Sequence, residues 1–134
     1  HYRDCYEIDI AEADAVIVGE RADDFAGSAV SGGRDVDGDG HSDVVIGARN
    51  EDTTGGGAGA ASVILGPIFG TVERASSPAK VLGLYPGDAT GSSVSIGGDL
   101  NDDGYNDVLI GAPMRSTGDD FPETGAVLIL KGGW

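Results

Sequence analysis

Short apolar runs separated by turn residues dominate this chain. Each run is three to five residues long, is rich in Val and Ile, and is bounded by Gly, Asp, Pro or Ser. Since no stretch keeps the i, i+3, i+4, i+7 spacing of an amphipathic helix for three turns, the pattern predicts many β-strands and an all-β fold. The runs are apolar throughout rather than alternating, which indicates sheets covered on both faces. They lie at residues 16–18, 44–46, 62–65, 81–84, 108–110 and 127–130.

The chain contains an internal repeat with an offset of 64 residues. When residues 25–48 are aligned with residues 89–112, 13 of the 24 positions are identical. Further along, ASVIL at 61–65 matches AVLIL at 126–130 with one residue of drift. Self-similarity at a fixed period is typical of stacked repeat architectures, so we predict two successive β units of one design.

Each unit is predicted to have four strands. The fourth strand of the first unit lies within residues 78–84, whereas the second unit ends near Lys131 without one. A strand of the same type, AVIVG at 15–19, stands near the N-terminus instead. This order is typical of a ring of sheets that is closed by its own N-terminal strand, so we expect this strand to complete a sheet elsewhere.

Composition and charge exclude several classes of function. There are 23 acidic and 8 basic residues, and the net charge of −15 repels phosphate backbones and anionic lipids, so no nucleic acid partner is expected. No run approaches the ~18 apolar residues of a membrane span, so no membrane insertion is expected. The single Cys5 excludes a disulfide framework within the chain; it is either a buried thiol or the partner of an intermolecular bridge. With two His and one Cys, nucleophile–base pairs are nearly absent, and we expect no enzyme activity.

Two nine-residue acidic loops carry the candidate chemistry. Carboxylate or amide oxygens stand at positions 1, 3, 5 and 9, and a Gly stands at position 6. A hard cation such as Ca²⁺ takes about six to eight oxygen ligands, and alternate residues of a tight loop turn their oxygens inward. Position 7 would add a backbone carbonyl, because hard cations prefer oxygen to imidazole nitrogen. The predicted ligands of two Ca²⁺ sites are Asp35, Asp37, Asp39, His41 and Asp43 in the first loop, and Asp99, Asn101, Asp103, Tyr105 and Asp107 in the second, with His41 and Tyr105 acting through their carbonyls.

These loops differ from the helix–loop–helix calcium hand, which needs a Glu at position 12. Position 12 here is Ile46 or Ile110, inside an apolar strand, so position 9 must complete each site. The second site has three Asp rather than four, which predicts weaker binding. Solvated acidic turns without an ion are the alternative, and two copies at a fixed offset, each leading into a matching strand, argue against it.

The repeated residues resemble the FG-GAP repeat, the blade of the integrin α-subunit β-propeller. That family has Phe-Gly early in the blade, an Asp-rich calcium loop, and then Gly-Ala-Pro. Here the last element is GAR at 47–49 and GAP at 111–113, and the first is degraded to FAG at 25–27 and ATG at 89–91. The resemblance spans roughly residues 14–132. It implies antiparallel four-stranded blades packed face to face, with structural calcium loops between the first and second strands.

The implied division has four parts. They are an N-terminal extension at 1–13, a blade-closing strand at 14–24 that completes another blade, blade 1 at 25–84, and blade 2 at 85–134 without its fourth strand. In the family, ligands bind at loops on the face opposite the calcium loops. By this resemblance, the loops at 49–59 and 114–123 are candidates for recognition of a protein or glycan ligand, and plain solvated connections are the alternative.

Two blades are too few for a propeller, which typically needs ~4–8. Two stacked blades would bury one shared interface and leave two outer faces bare. We therefore expect the partners to be other copies of the chain, joined head to tail in a ring or filament, or further blades of the same protein. The start at His1 without a leader favours a processed chain or a piece of a longer one.

Two functions compete at this stage. The first is a non-enzymatic, secreted or extracellular, calcium-binding module for cell adhesion or structural assembly. The alternative is an accessory or fragment propeller of a larger secreted enzyme or integrin-like receptor; in the case of an enzyme, the catalytic domain would lie elsewhere. Catalysis by the clustered carboxylates themselves is disfavoured, because the loop pattern explains these residues as ion ligands.

Overall fold

The computed structural model describes residues 7–115 and 124–134, and their regular secondary structure is almost entirely β. The all-β prediction is confirmed, since two 3-10 turns at Ile10–Glu12 and Arg74–Ser76 are the only helical elements in the described ranges. Cys5 and residues 116–123 of the second candidate recognition loop lie outside them. The strands are β1 (Ala15–Val18), β2 (Ala26–Arg34), β3 (Asp43–Ala48), β4 (Ala60–Ile64), β5 (Gly70–Glu73), β6 (Ala79–Leu82), β7 (Ser93–Ile96), β8 (Val108–Ala112) and β9 (Ala126–Leu130).

The strands form two antiparallel blades, as predicted. Blade 1 has four strands in the order β2-β3-β4-β6, and blade 2, as described, has three in the order β7-β8-β9. In each blade an acidic loop joins the first strand to the second. Two copies of one sequence pattern therefore produce two copies of one local architecture.

The main apolar core lies where the two blades stack face to face. Val45 and Val63 of blade 1 belong to one buried cluster with Val108 and Ile110 of blade 2, and all four are at most 2% exposed. Burying one such side chain contributes roughly 1.5–3 kcal/mol, so this contact is a major source of stability. The whole buried cluster consists of Val36, Val45, Ala61, Val63, Ile96, Val108 and Ile110.

The strand register corrects the alignment of the third strands. Val44 pairs with Ile64, and its repeat counterpart Val108 pairs with Leu130, so Leu130 is the counterpart of Ile64. The drift is therefore two residues rather than one. Since neighbouring side chains on a strand point to opposite faces, this change reassigns every residue of β9 to the other face. Short runs of Val, Leu and Ile match almost equally well in either register, which is why the sequence comparison missed it.

An unpredicted two-stranded ribbon, formed by β1 and β5, covers the other face of blade 1. The two strands pair in parallel, and β5 lies in the connection between β4 and β6. Beneath the ribbon, Ile46 and Ile64 are each only 4% exposed. The expectation of two bare outer faces is therefore wrong: the bare face of blade 2 carries Val127 and Ile129, which are 66% and 60% exposed. The sequence of β5, GTVE, is too short and polar to be recognised as a strand.

The β1 strand is also the strand that we expected to complete another blade. In the single chain it pairs with β5, so its pairing with another copy stays a prediction.

Gly47, in the first copy of the Gly-Ala element, provides a test of the stacked interface. A Cβ at Gly47 would lie 1.9 Å from the carbonyl oxygen of Gly91, which leads into β7. Backbone cannot rotate away as a side chain can, so we expect Gly47→Ala to lower the free energy of unfolding by at least about 1–3 kcal/mol.

The matched control is Gly111→Ala, at the equivalent position of blade 2. Its Cβ would meet the hydroxyl oxygen of Ser93 at 2.2 Å, and that side chain is free to rotate. Urea unfolding at one calcium concentration should show the larger loss for Gly47→Ala. Equal losses would contradict the close approach of the blades at this point.

Candidate metal centres

Each acidic loop is folded around its first aspartate. The carboxylate of Asp35 accepts hydrogen bonds from the backbone N–H groups of Gly38 at 2.8 Å and Gly40 at 2.7 Å. In the second loop, Asp99 accepts a hydrogen bond of 2.7 Å from the N–H of Gly104. A short acceptor side chain at the start of a loop stabilises a turn in this way. The first aspartate therefore shapes the loop whether or not it also binds a cation.

The glycine at position 6 is needed for the backbone conformation. Gly40 has a φ of 87° and Gly104 a φ of 89°, which lie in the left-handed region that L side chains rarely adopt. The sharp turn expected from the sequence is present in both loops.

The last aspartate of each loop is buried and is hydrogen-bonded to the backbone just after the third strand of its blade. Asp43 is fully buried and accepts hydrogen bonds from the N–H groups of Val36 at 2.6 Å and Gly66 at 2.8 Å. The equivalent bonds in blade 2, from the N–H groups of Leu100 and Gly132 to Asp107, are 2.7 and 3.0 Å long. This residue therefore closes the loop and connects it to the chain just after β4 or β9.

The folded loops bring several predicted ligands together. In the first loop, Asp35, Asp37 and Asp39 each offer a carboxylate oxygen, and these oxygens lie within 4.8 Å of one another. In the second loop, Asp99, Asp103 and Asp107 meet the same condition. Oxygens that share one Ca²⁺ at about 2.3–2.6 Å are at most about 5 Å apart, so both donor sets fit a calcium ion.

The remaining predicted ligands differ between the loops. Asp43 is not part of the first cluster, although its counterpart Asp107 belongs to the second. Coordination by the amide of Asn101 and by the carbonyls of His41 and Tyr105 stays a prediction. All three of these residues are exposed.

Local hydrogen bonds and like charges shift the carboxyl groups in opposite directions. The N–H of Gly40 holds the pKa of Asp35 below its ordinary value, and the N–H of Gly104 does the same for Asp99. The pKa of Asp37 is raised, first by desolvation and then by the neighbouring carboxylates, among them Asp39. The folded first loop therefore opposes the full ionisation that a cation would favour.

The two loops lie side by side across the blade interface. The side-chain amide of Asn106 donates to the carbonyl of Asp35 at 2.8 Å. The ring of Tyr105 lies against Gly38 and Gly133, where an added Cβ would be 2.7 and 2.5 Å from ring carbons. The two candidate centres thus form one structural unit at one end of the molecule, which the repeat pattern alone did not predict.

Comparison with known proteins identifies the repeated unit. The FG-GAP repeat matches residues 26–64 and 90–130, which together make up more than half of the chain and include both acidic loops. The chain belongs to the FG-GAP repeat family. It is also similar to integrin alpha-PS5 of Drosophila melanogaster, with 33% identity over 91 residues, or 65% of this chain. The match spans only 9% of that relative's length.

The candidate recognition loop at 49–59 is only partly solvated in this FG-GAP protein. Glu51 and Ala58 are buried, whereas the guanidinium of Arg49 lies 5.5 Å from the ring centroid of Phe25 at the surface. Ligand binding by this loop stays a prediction.

Within the described ranges, no helix is long and apolar enough to cross a membrane.

A buried ionic cluster beneath the ribbon was not expected from the sequence. Arg74 follows β5 directly, is fully buried, and donates to the hydroxyl of Ser62 at 2.7 Å. Its guanidinium also pairs with Glu51, and with Glu20 at 3.1 Å. Lys80 pairs with the same two glutamates. We call these five residues the Arg74 latch.

Asp24 lies beside the latch and corresponds to Asp88 in the second FG-GAP unit. Both are buried, at 2% and 1% exposure. Asp88 accepts a hydrogen bond of 3.0 Å from the N–H of Tyr85, whereas one carboxylate oxygen of Asp24 has no hydrogen-bond donor among the described residues. The sequence does contain a signal for this pair. Asp24 and Asp88 are identical residues at the same offset of 64, and each stands one residue before the aligned segments 25–48 and 89–112.

Glu51 and Asp24 are predicted to affect stability in opposite directions. Burial opposes ionisation of Glu51, but its bonds to Thr53, Lys80 and Arg74 outweigh this and hold its pKa below the ordinary value. Glu51 therefore stabilises the fold at neutral pH, and this contribution is lost as the pH falls through its carboxyl range. We expect Glu51→Gln to cost about 3–5 kcal/mol, as for one partner of a buried ion pair, because Arg74 loses its closest partner.

Burial, and then the charge of Glu51, raise the pKa of Asp24. Its ionised form therefore destabilises the fold at neutral pH, so Asp24→Asn should raise stability there. The gain from Asp24→Asn should fade as the pH falls through the raised pKa of Asp24 and vanish below about 4, where the carboxyl groups are neutral in the unfolded chain. The loss from Glu51→Gln should persist to lower pH and fade only as the pH falls through the lowered pKa of Glu51. Urea unfolding between neutral and acidic pH measures this, and Glu73→Gln on the exposed part of β5 is the control. Losses of equal sign for both variants would contradict these assignments.

Proposed function

We propose that this protein is a non-enzymatic, extracellular FG-GAP module that calcium stabilises and that serves adhesion or structural assembly. The observation that carries the proposal is the convergence of three aspartates in each of two repeated loops, with oxygens within 4.8 Å of one another. A single acidic cluster is common on protein surfaces, but a cluster of three aspartates in the equivalent loop of both blades supports a shared role for the two loops. Dependence on calcium suits a compartment with millimolar calcium, outside the cell.

Calcium would act structurally here. The loops join the first two strands of each blade and contact each other through Asn106 and Asp35. Ions bound in both loops would neutralise clustered carboxylates, and they would hold the two blades in register at one end of the interface. Because metal bound to the folded form alone adds its binding free energy to folding, the thermal stability should depend on calcium.

Assembly with further blades is supported by the bare face of blade 2. Ile129 is the structural counterpart of Val63, which packs against blade 2 within the chain and is only 2% exposed. Ile129 itself is 60% exposed. The bare face therefore presents the surface that blade 1 uses for stacking, and a further blade, from another copy or from the same protein, fits it.

A second candidate function is a propeller segment of a larger integrin-like receptor or secreted enzyme. The observation that favours it is the match to a short part, 9%, of integrin alpha-PS5. In that case the further blades would come from the same polypeptide, and the calcium loops would play the same structural role.

Substitution in the second loop tests the calcium proposal. Asp103 belongs to the carboxylate cluster, whereas its neighbour Asp102 does not. Asp103→Asn keeps an acceptor for the N–H of Tyr105, a bond of 3.0 Å, and removes one ligand charge. We expect this variant to lose most of the stabilisation that calcium gives at this site, which is about 2.7 kcal/mol at 100 times the Kd.

Asp102→Asn is the matched control, because it removes the same charge from the adjacent position. Thermal unfolding in calcium and in chelator, together with calorimetric titration, measures both variants. Asp103→Asn should reduce the stoichiometry from two ions to one and should match the parent protein in chelator. If both variants bind two ions with parental affinity, or if Asp103→Asn is as destabilising in chelator as in calcium, the ligand assignment is wrong.

A further inference from the structure

The ribbon lies on the surface that a preceding blade would need. Blade 2 receives blade 1 on the face that carries Val108 and Ile110. The counterparts of these residues in blade 1 are Val44 and Ile46, at an offset of 64, and they line a cleft with Ile17 of the ribbon. A second copy that repeated the contact already present within the chain would therefore meet the ribbon first.

The ribbon also holds the strand that we expect to pair with another copy. All four residues of β1 are paired with β5, from Ala15 with Gly70 to Val18 with Glu73. A closed ribbon thus covers the face of blade 1 that carries Val44 and Ile46, and it occupies one edge of β1, the edge that pairs with β5. One opening event would release both.

The Arg74 latch fastens the ribbon to the blade. Glu20 follows β1, and Arg74 follows β5, so the latch draws on both ribbon strands. On the blade side it uses Ser62 of β4, Lys80 of β6 and Glu51 of the loop after β3. The contact between Arg74 and Glu20 joins residues 54 positions apart in the chain.

The latch carries an internal cost. The Nε of Arg74 is buried without a hydrogen-bond partner among the described residues. One carboxylate oxygen of the adjacent Asp24 also lacks a hydrogen bond there, and its ion-pair distance to the Arg74 guanidinium is long, at 3.9 Å. Buried polar groups that lack a partner oppose the closed arrangement. The latch therefore stabilises the closed ribbon less than a network in which every polar group is hydrogen-bonded. A closed ribbon that can open requires such a limited stabilisation.

We propose that the ribbon is an autoinhibitory cap on head-to-tail association and that the Arg74 latch keeps it closed. This inference rests on the proposed stacking of blades between copies. A second copy binds only the open form, so it competes with the ribbon for one face, and any change that weakens the latch shifts the population toward association.

The test compares latch variants by two independent measurements. Arg74→Met keeps a long side chain with an apolar stem and removes the charge. Glu20→Gln is a milder variant, because Glu20 lies on the partly exposed side of the latch. Glu73→Gln, an exposed residue at the end of β5, is the matched control. Hydrogen exchange of the β1 and β5 amides measures ribbon opening, and light scattering in millimolar calcium measures mass.

We expect the parent protein and Glu73→Gln to show a protected ribbon and a mass of 13.5 kDa. Arg74→Met should show faster exchange in the ribbon with protected blade strands, and at least twice that mass. Adding Val127→Lys on the bare face of blade 2 should return Arg74→Met to a monomer while its ribbon stays open. Glu20→Gln should shift both measurements in the same direction, and it replaces Arg74→Met if that variant loses protection in the blades.

Three results would overturn the inference, and they separate it from the proposed assembly. The parent protein could associate while its ribbon stays protected, and Val127→Lys could dissociate it. This result would support the proposed assembly and show that the ribbon is not an autoinhibitory cap. An open ribbon without association would refute both. A ribbon that stays protected in both latch variants would show that Arg74 and Glu20 do not hold it.

Discussion

The stacking of blade 1 on blade 2 is the contact on which the rest of this structure depends. It buries Val45 and Val63 against Val108 and Ile110, and these residues belong to the buried apolar core of the described chain. The same contact places the two acidic loops side by side, where Asn106 reaches the backbone of Asp35. It also explains Gly47, since the backbone at Gly91 approaches too closely for a side chain there. Folding, loop placement and glycine positions therefore share one cause.

Charge is distributed in this protein according to two different needs. The aspartates are concentrated in loops where each carboxylate accepts backbone N–H groups and can share a cation. Two of the eight basic residues, Arg74 and Lys80, instead lie in the latch beneath the ribbon. A buried ion pair contributes little net stability compared with an apolar contact, but it is costly to break on one side. Such a pair is suited to fixing where a segment docks.

The two FG-GAP units show how one sequence pattern acquires different surroundings. The face of blade 2 that carries Val108 and Ile110 is covered by blade 1, and the equivalent face of blade 1 is covered by the ribbon. The opposite face is packed in blade 1 and bare in blade 2, where Val127 and Ile129 are exposed. The asymmetry arises from the neighbours of each blade, because the strands themselves are nearly equivalent.

The local features of this protein could be predicted from short segments of its sequence. The apolar runs, the glycines at position 6 and the aspartates of both loops are encoded within short segments and occur twice, so β-strands, acidic loops and the FG-GAP resemblance could be predicted. The two-residue drift of β9, the ribbon and the burial of Arg74 become visible only in the folded chain. These features depend on pairings between distant segments, such as β1 with β5, whose short polar sequence carries no strand signal of its own. Pairing between strands that are distant in the chain depends on loop lengths and on the surfaces left exposed after the blades stack. Neither can be predicted from a local pattern of residues.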